Sequence, residues 1–237
     1  MNILVTGGSK GLGSAIVKLL AATPENHVYF TYCQSADAAS AITSAFSNTT
    51  RIQCDYSDEA SVKELTNTIS GLSLDVLINN AAINFAKSHF HKTDLNTFKN
   101  SFQSNVLSTI AVTQAALTVF RKKKSGRLIT ILSSAITGTP PVGWAAYIAD
   151  KNYLLGLSKA WATENIRFNI SSNCVSPSFM ATDFNKDTDE RIVEEIIGKH
   201  PLKKLLTPEE VADTVSFLCH CSLHINGVNI VMNAGTD

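Results

Sequence analysis

Seven short apolar runs, each separated from the next by a stretch of helical character, set the tightest limit on what this chain can fold into. They are "NILVTG" (2–7), "HVYFTY" (27–32), "TRIQC" (50–54), "DVLINN" (75–80), "GRLITILS" (126–133), "ISSNCVS" (170–176) and "GVNIVM" (227–232). Near-continuous apolar character, in place of strict alternation, marks strands buried on both faces, as in a parallel sheet. Helices are expected near 11–22, 35–46, 58–69, 98–121, 145–165 and 208–219. The last opens with "TPEE", in which Thr207 is an N-cap, Pro208 occupies the first helical position and Glu210 completes a capping box. Right-handed βαβ crossovers repeated in this way predict a doubly wound, Rossmann-type α/β fold with a seven-stranded parallel sheet. No internal repeat or low-complexity linker interrupts it, so residues 1–237 are expected to form one domain. The charged segment 183–206 follows a strand end, where open α/β sheets bind ligands, and reads either as a flap over the site or as a plain surface helix.

Charge removes several classes of function. Twenty basic and twenty acidic side chains cancel, so no global field draws the chain to nucleic acid or to an anionic membrane. The one dense basic run, "RKKK" (121–124), falls where a helix should end, and cations are favourable there. Five cysteines without a Cys-x-x-Cys pair suit a reducing compartment. "CHCSLH" (219–224) offers Cys219, Cys221 and His224, but without the usual spacing of zinc ligands, and no metal site is expected. The first residues, "MNILVTGG", enter a strand at once, leaving no room for a targeting segment, and no apolar run approaches a membrane span. The expectation is a soluble cytoplasmic protein.

"TGGSKGLG" (6–13) joins the first strand to the first helix. Glycines at 7, 11 and 13 permit a tight turn and bring bare backbone N–H groups to the positive end of a helix dipole, which together attract a phosphate. The spacing differs from G-x-G-x-x-G, but the position between strand and amphipathic helix points to a dinucleotide. An acid at the end of the second strand would bind the ribose 2′-hydroxyl of NAD and repel a 2′-phosphate. This strand ends "TYCQS", with no acid between Glu25 and Asp37. Lys10 can reach toward a 2′-phosphate, and Ser9 and Ser35 can donate to it. NADP(H) is therefore expected in preference to NAD(H), which stays possible.

In "AAYIADKNYL" (145–154), Tyr147 and Lys151 stand four apart and share one helix face. With the glycine turn, they make the sequence resemble the classical short-chain dehydrogenase/reductase family. "CDYSD" (54–58), "NNAA" (79–82), "QSNVLS" (103–108), "ILSS" (131–134), "NCVSPSFMATDF" (173–184) and "PLKKLLTPEEVADTVSFL" (201–218) are similar to the family's landmarks, in the same order. The resemblance implies a catalytic set of Asn105, Ser134, Tyr147 and Lys151. Its implied cofactor contacts are Gly7, Ser9, Lys10, Gly11, Leu12, Gly13, Ser35, Asp55, Tyr56, Asn80, Ala81, Ala82, Tyr147, Lys151, Pro177, Ser178 and Thr182. Asp55 would meet the adenine, and Lys151 would also grip the nicotinamide ribose. Ser134 would hydrogen-bond the carbonyl oxygen, and Asn105 would hold a water leading from Lys151 to solvent.

Hydride transfer to a carbonyl leaves an alkoxide that needs a proton. A phenol with a pKa near 10 gives one up slowly at neutral pH, and a nearby ammonium is expected to lower that value. Three features depart from the family pattern: Ala82 and Ser178 stand where glycines are usual, and "MNAGTD" replaces the usual carboxyl-terminal segment. The nearest likeness is to β-ketoacyl-[acyl carrier protein] reductases, which implies NADPH-dependent reduction of a ketone or 3-oxoacyl group. An NAD(P)+-dependent alcohol dehydrogenase of secondary or sugar metabolism is the alternative, and a dinucleotide-sensing scaffold a third reading. An apolar substrate lining is expected from Ile83, Ala135, Trp144, Phe179 and Phe184. Lys122–Lys124 and Lys203–Lys204 are candidate contacts for an acyl carrier protein at the pocket mouth, and the resemblance implies a homotetramer or homodimer.

Overall fold

A computed structural model describes residues 1–83, 87–182 and 189–236. Among them seven parallel strands form one sheet in the order β3-β2-β1-β4-β5-β6-β7. The strands are β1 (Asn2–Val5), β2 (His27–Tyr32), β3 (Thr49–Gln53), β4 (Val76–Asn79), β5 (Gly126–Ile131), β6 (Ile170–Pro177) and β7 (Asn229–Met232). Order reverses between β1 and β4, which opens a crevice at the carboxyl ends of the strands.

Period-two geometry sends successive residues of a strand to opposite faces. Ile3 and Val5 of β1 enter one core with α1 (Gly11–Ala21) and α8 (Pro208–His220); Leu4 enters the other with α3 (Glu59–Ser70), α5 (Ser108–Lys123) and α6 (Ala145–Asn165). The α2 helix (Ala36–Ala45) buries only Ala39 and Ile42. Cys219 and Cys221 are buried in the α1–α8 core. The capping box at Thr207 forms, with Glu210 N–H donating to the Thr207 hydroxyl and Thr207 N–H to the Glu210 carboxylate.

β6 is buried along its whole length although it is half polar. Each polar side chain has a partner: Ser171 Oγ accepts from Arg127 at 3.4 Å, Ser172 Oγ lies 2.8 Å from Ser158 Oγ, Asn173 Nδ2 donates to the Ile225 carbonyl at 2.8 Å, and Ser176 Oγ donates to Asn229 at 2.8 Å. Those bonds remove the desolvation cost that buried polar groups otherwise carry.

The continuous helix expected over 98–121 is instead three pieces. The α4 helix (Leu95–Ser101) leads into a π-helical turn (Phe102–Leu107), and α5 follows. A π-turn inserts an extra residue into the helical ladder, and such turns are common where a side chain must be aimed at a site. This one contains Asn105.

α5 ends at the amino edge of the sheet, next to the start of β5. Lys122, Lys123 and Lys124 are exposed there, with Lys123 paired to Asp75 just ahead of β4. This cluster therefore stands at the edge of the sheet opposite the crevice, not at a pocket mouth. Lys203 and Lys204 precede α8 on the crevice side, where Lys204 pairs with Glu210 at 2.7 Å. Within 183–206, a helix α7 (Glu190–Lys199) is present with no fully buried residue, while 183–188, including Phe184, lie outside the described residues. No helix among the described residues is long and apolar enough to cross a membrane.

Candidate active site

A cleft of about 870 Å³ opens at the crevice, and its walls carry all seventeen cofactor residues expected from the sequence, from Gly7 to Thr182. At one end stands the glycine turn. Gly7 and Gly11 adopt left-handed φ values of +66° and +50°, which glycine accepts without a Cβ penalty. Gly13 packs so tightly that an added Cβ would meet the Gly7 carbonyl oxygen at 2.1 Å and Asn80 Nδ2 at 2.6 Å.

The turn is propped from below. Asn80 Nδ2 donates to the carbonyls of Thr6 and Gly7 at 2.9 and 3.1 Å, and Thr6 Oγ1 accepts from the Asn80 and Ala81 N–H groups, both at 3.0 Å. Ala82 is not among the residues with positive φ, so its methyl group costs the backbone nothing.

Lys10 occupies the N-cap of α1 but places no side-chain hydrogen bond on the first turn. The uncapped N–H groups of that turn and the exposed Lys10 side chain therefore face the cleft together, an anion cradle of the kind a pyrophosphate fits. Farther along, Asp55 accepts from the Ser57 N–H and hydroxyl at 2.8 and 2.5 Å, and these bonds hold its carboxyl below the usual carboxylate range. Tyr56 is buried beneath, its carbonyl accepting from Ser108 Oγ at 2.9 Å.

At the other end are Tyr147 and Lys151, only 8% and 7% exposed. Ser133 and Ser134 both line the cleft with Tyr147, and the Ser133 hydroxyl bears on the Tyr147 phenol. Ser133 is still extended, φ −160° and ψ 142°, at the end of β5, whereas Ser134 begins a 3-10 turn (Ser134–Ile136) and lies on the cleft wall. The 3-10 turn changes the direction of the chain between the two side chains.

Burial pushes the Tyr147 phenol up, and the Ser133 hydrogen bond only partly opposes it. The expected lowering by Lys151 is not what this geometry gives. The Lys151 amine lies 5.7 Å from the tyrosine ring centre and donates to the Ile131 carbonyl at 2.8 Å. Burial lowers the Lys151 amine to about 8, with Asp150 acting in the opposite direction. At neutral pH the pair is therefore a protonated phenol beside a largely charged amine.

Asn105, 7% exposed, sits behind the wall and not on it. Its Oδ1 accepts from the Ile83 N–H at 2.8 Å. The described part of the apolar lining, Ile83, Ala135, Trp144 and Phe179, does reach the cleft. The Trp144 ring stands edge-on to Tyr147 at 5.4 Å, and the Lys87 amine lies 5.4 Å from the Trp144 ring centre. Ile196 of α7 and Thr236 near the carboxyl terminus also line the cleft, neither of them foreseen from the sequence. An apolar face on α7 was the available signal for Ile196; nothing local marked Thr236.

A family model described as enoyl-(acyl carrier protein) reductase matches residues 7–237. The chain is 31% identical to a 3-oxoacyl-[acyl-carrier-protein] reductase of Aquifex aeolicus, over 98% of this chain and 95% of that protein. It is 30% identical to carbonyl reductase family member 4 of Xenopus laevis, again over 98% and 95%. A solved short chain dehydrogenase from Burkholderia cenocepacia, in complex with NADP, superposes with a TM-score of 0.85 at 28% identity, covering 98% of this chain and 96% of that one.

Proposed function

Because the chain belongs to the short-chain dehydrogenase/reductase family of NAD(P)-dependent oxidoreductases, we propose that it reduces a ketone or 3-oxoacyl group to a secondary alcohol with NADPH. The observation that carries this reading is the protonated Tyr147 hydroxyl, bonded to Ser133 and facing the same cleft as the glycine turn. A phenol whose pKa is raised holds its proton until a stronger base appears, and an alkoxide formed in the cleft is such a base. That protonation state favours reduction over alcohol oxidation.

The bound dinucleotide would supply the hydride. Gly7, Gly11, Gly13 and the first turn of α1 would hold its pyrophosphate, and Lys10 with Ser9 and Ser35 its 2′-phosphate. The NADP complex of the Burkholderia relative supports that choice of cofactor. Ser134, next to Ser133 on the cleft wall, would donate to the substrate oxygen and stabilise the charge that develops there. Tyr147 would deliver the proton, and the Lys151 ammonium would offset the phenolate left behind. Trp144, Ala135 and Phe179, on the cleft wall, would keep water from the reacting carbon.

The relatives' names support an acyl thioester substrate, delivered by an acyl carrier protein. Lys203, Lys204 and Lys87 are exposed basic side chains on the cleft side of the sheet that would meet such a carrier. The test follows NADPH absorbance against a panel of ketones that includes an acetoacetyl thioester. Consumption by the wild type and its loss in Tyr147→Phe, with NADPH still bound, is the expected result. No consumption with any member of the panel overturns the reading.

A further inference from the structure

The cleft crosses the carboxyl ends of all seven strands, and its two ends differ in charge. Its walls carry Lys10 after β1 and Asp55 after β3, on the side where the dinucleotide anchors lie. The described wall residues that come from β6, α7 and the segment after β7 include no charged side chain. Ser178, Phe179, Met180, Ile196 and Thr236 belong to this uncharged end. β7 is the edge strand farthest from β3, two strand spacings beyond β5, which is about 10 Å.

Thr236 is brought to the wall by a turn with its own bracing. Met232 pairs in register with Pro177, and its carbonyl accepts from the Ser178 N–H at 3.0 Å, so the turn is rooted beside the cleft. Asn233 then closes the chain on itself. Its carbonyl accepts from the Thr236 N–H at 3.1 Å and from the Thr236 hydroxyl at 2.7 Å. Its side chain accepts from the Gly235 N–H at 3.1 Å and donates to the Thr236 carbonyl. Ala234 and Gly235 between them both take left-handed φ values, +54° and +75°. An added Cβ on Gly235 would meet nothing within 4 Å, so glycine serves the conformation there and not the space. Alanine has no such excuse, and a strained residue persists only where its surroundings hold it. The Thr236 donor is spent inside the turn, which leaves the bulk of the side chain as what a ligand meets.

We propose that Thr236 is a specificity-determining residue: the Asn233–Thr236 turn is the far wall of the substrate half of the cleft, and the volume of Thr236 limits the length of the uncharged, apolar chain that the ketone carries. The inference rests on the proposed reduction of a ketone or 3-oxoacyl group. Tyr147 and Ser133 stand at the β5 end, so a carbonyl held there has the dinucleotide on one side and this wall on the other. Against an apolar wall, one methylene too many changes kcat/KM about tenfold or more.

The test compares acetoacetyl, 3-oxohexanoyl and 3-oxooctanoyl thioesters of N-acetylcysteamine. Thr236→Gly should raise kcat/KM for the longest relative to the shortest about tenfold, and Thr236→Leu should lower that ratio by a similar factor. Thr236→Val keeps the volume and loses the hydroxyl bond to Asn233, and its ratio should stay within about twofold of the wild type. NADPH affinity, read by fluorescence, should be the same in all of them. The same series titrated into the NADPH complex of Tyr147→Phe, with and without Thr236→Gly, reads the length preference without turnover. A ratio that does not move, that moves as far in Thr236→Val as in Thr236→Gly, or that gives way to a change in NADPH affinity overturns the inference. Turnover by the wild type with an unmoved ratio leaves the proposed function standing. Absent turnover with a shifted binding series does the reverse, and a protein that neither binds nor reduces any member loses both.

Discussion

The two ends of the cleft are built on different principles. At the glycine turn the working groups are backbone N–H and C=O groups from eight consecutive residues, and the side chains that matter, Asn80 and Thr6, act by holding that backbone. At the tyrosine end the working groups are side chains from β5, α6 and the π-turn, brought together from positions as far apart as Asn105 and Lys151. One end is therefore vulnerable to added atoms, the other to lost charges and hydroxyls. A contiguous backbone motif survives almost any change that respects its turn geometry. A composite of side chains depends on the packing of every element that contributes to it.

Substitutions can break this contrast. The largest effect is expected from Tyr147→Phe, which removes the transferable proton: kcat should fall about a thousandfold or more, with the fluorescence-measured affinity for NADPH nearly unchanged. Equal loss of affinity would mean that the tyrosine end also builds the cofactor site. Next come the paired variants Ser133→Ala and Ser134→Ala. Ser134→Ala should lower kcat about a hundredfold through loss of a donor to the developing charge, whereas Ser133→Ala, whose oxygen also accepts from the Ala135 N–H, should stay within about threefold. The reverse order would make Ser133 the donor.

Two further variants sharpen the cofactor end. Gly13→Ala places a Cβ 2.1 Å from the Gly7 carbonyl oxygen, where backbone cannot yield cheaply. Isothermal titration should show NADPH affinity reduced about tenfold or more, with a thermal destabilisation of about 1–3 kcal/mol from overpacking. An unchanged affinity would show that the turn has slack. Smallest of all, Lys10→Glu should raise KM for NADPH about tenfold while leaving NADH within about twofold, as expected for losing one favourable charge contact. Equal effects on the two nucleotides would remove the 2′-phosphate from its surroundings.

Legibility follows the same division. The strands, the glycine turn and the capping box at Thr207 were readable because each rests on local pattern: apolar runs, residues without a Cβ, an N-cap followed by an acid. The break at Phe102–Leu107 was not, since a π-turn leaves the hydrophobic spacing of the flanking helices almost intact.

From its sequence alone this chain was committed to a doubly wound parallel sheet with an anion cradle after the first strand, because buried strands and Cβ-free turns are properties of neighbouring residues. How far burial rather than Lys151 governs the Tyr147 phenol, and that Asp150 is enclosed at all, were decided by packing. Protonation and hydrogen-bond partnership depend on the dielectric and donors that distant elements bring together in space. No run of adjacent letters encodes those surroundings.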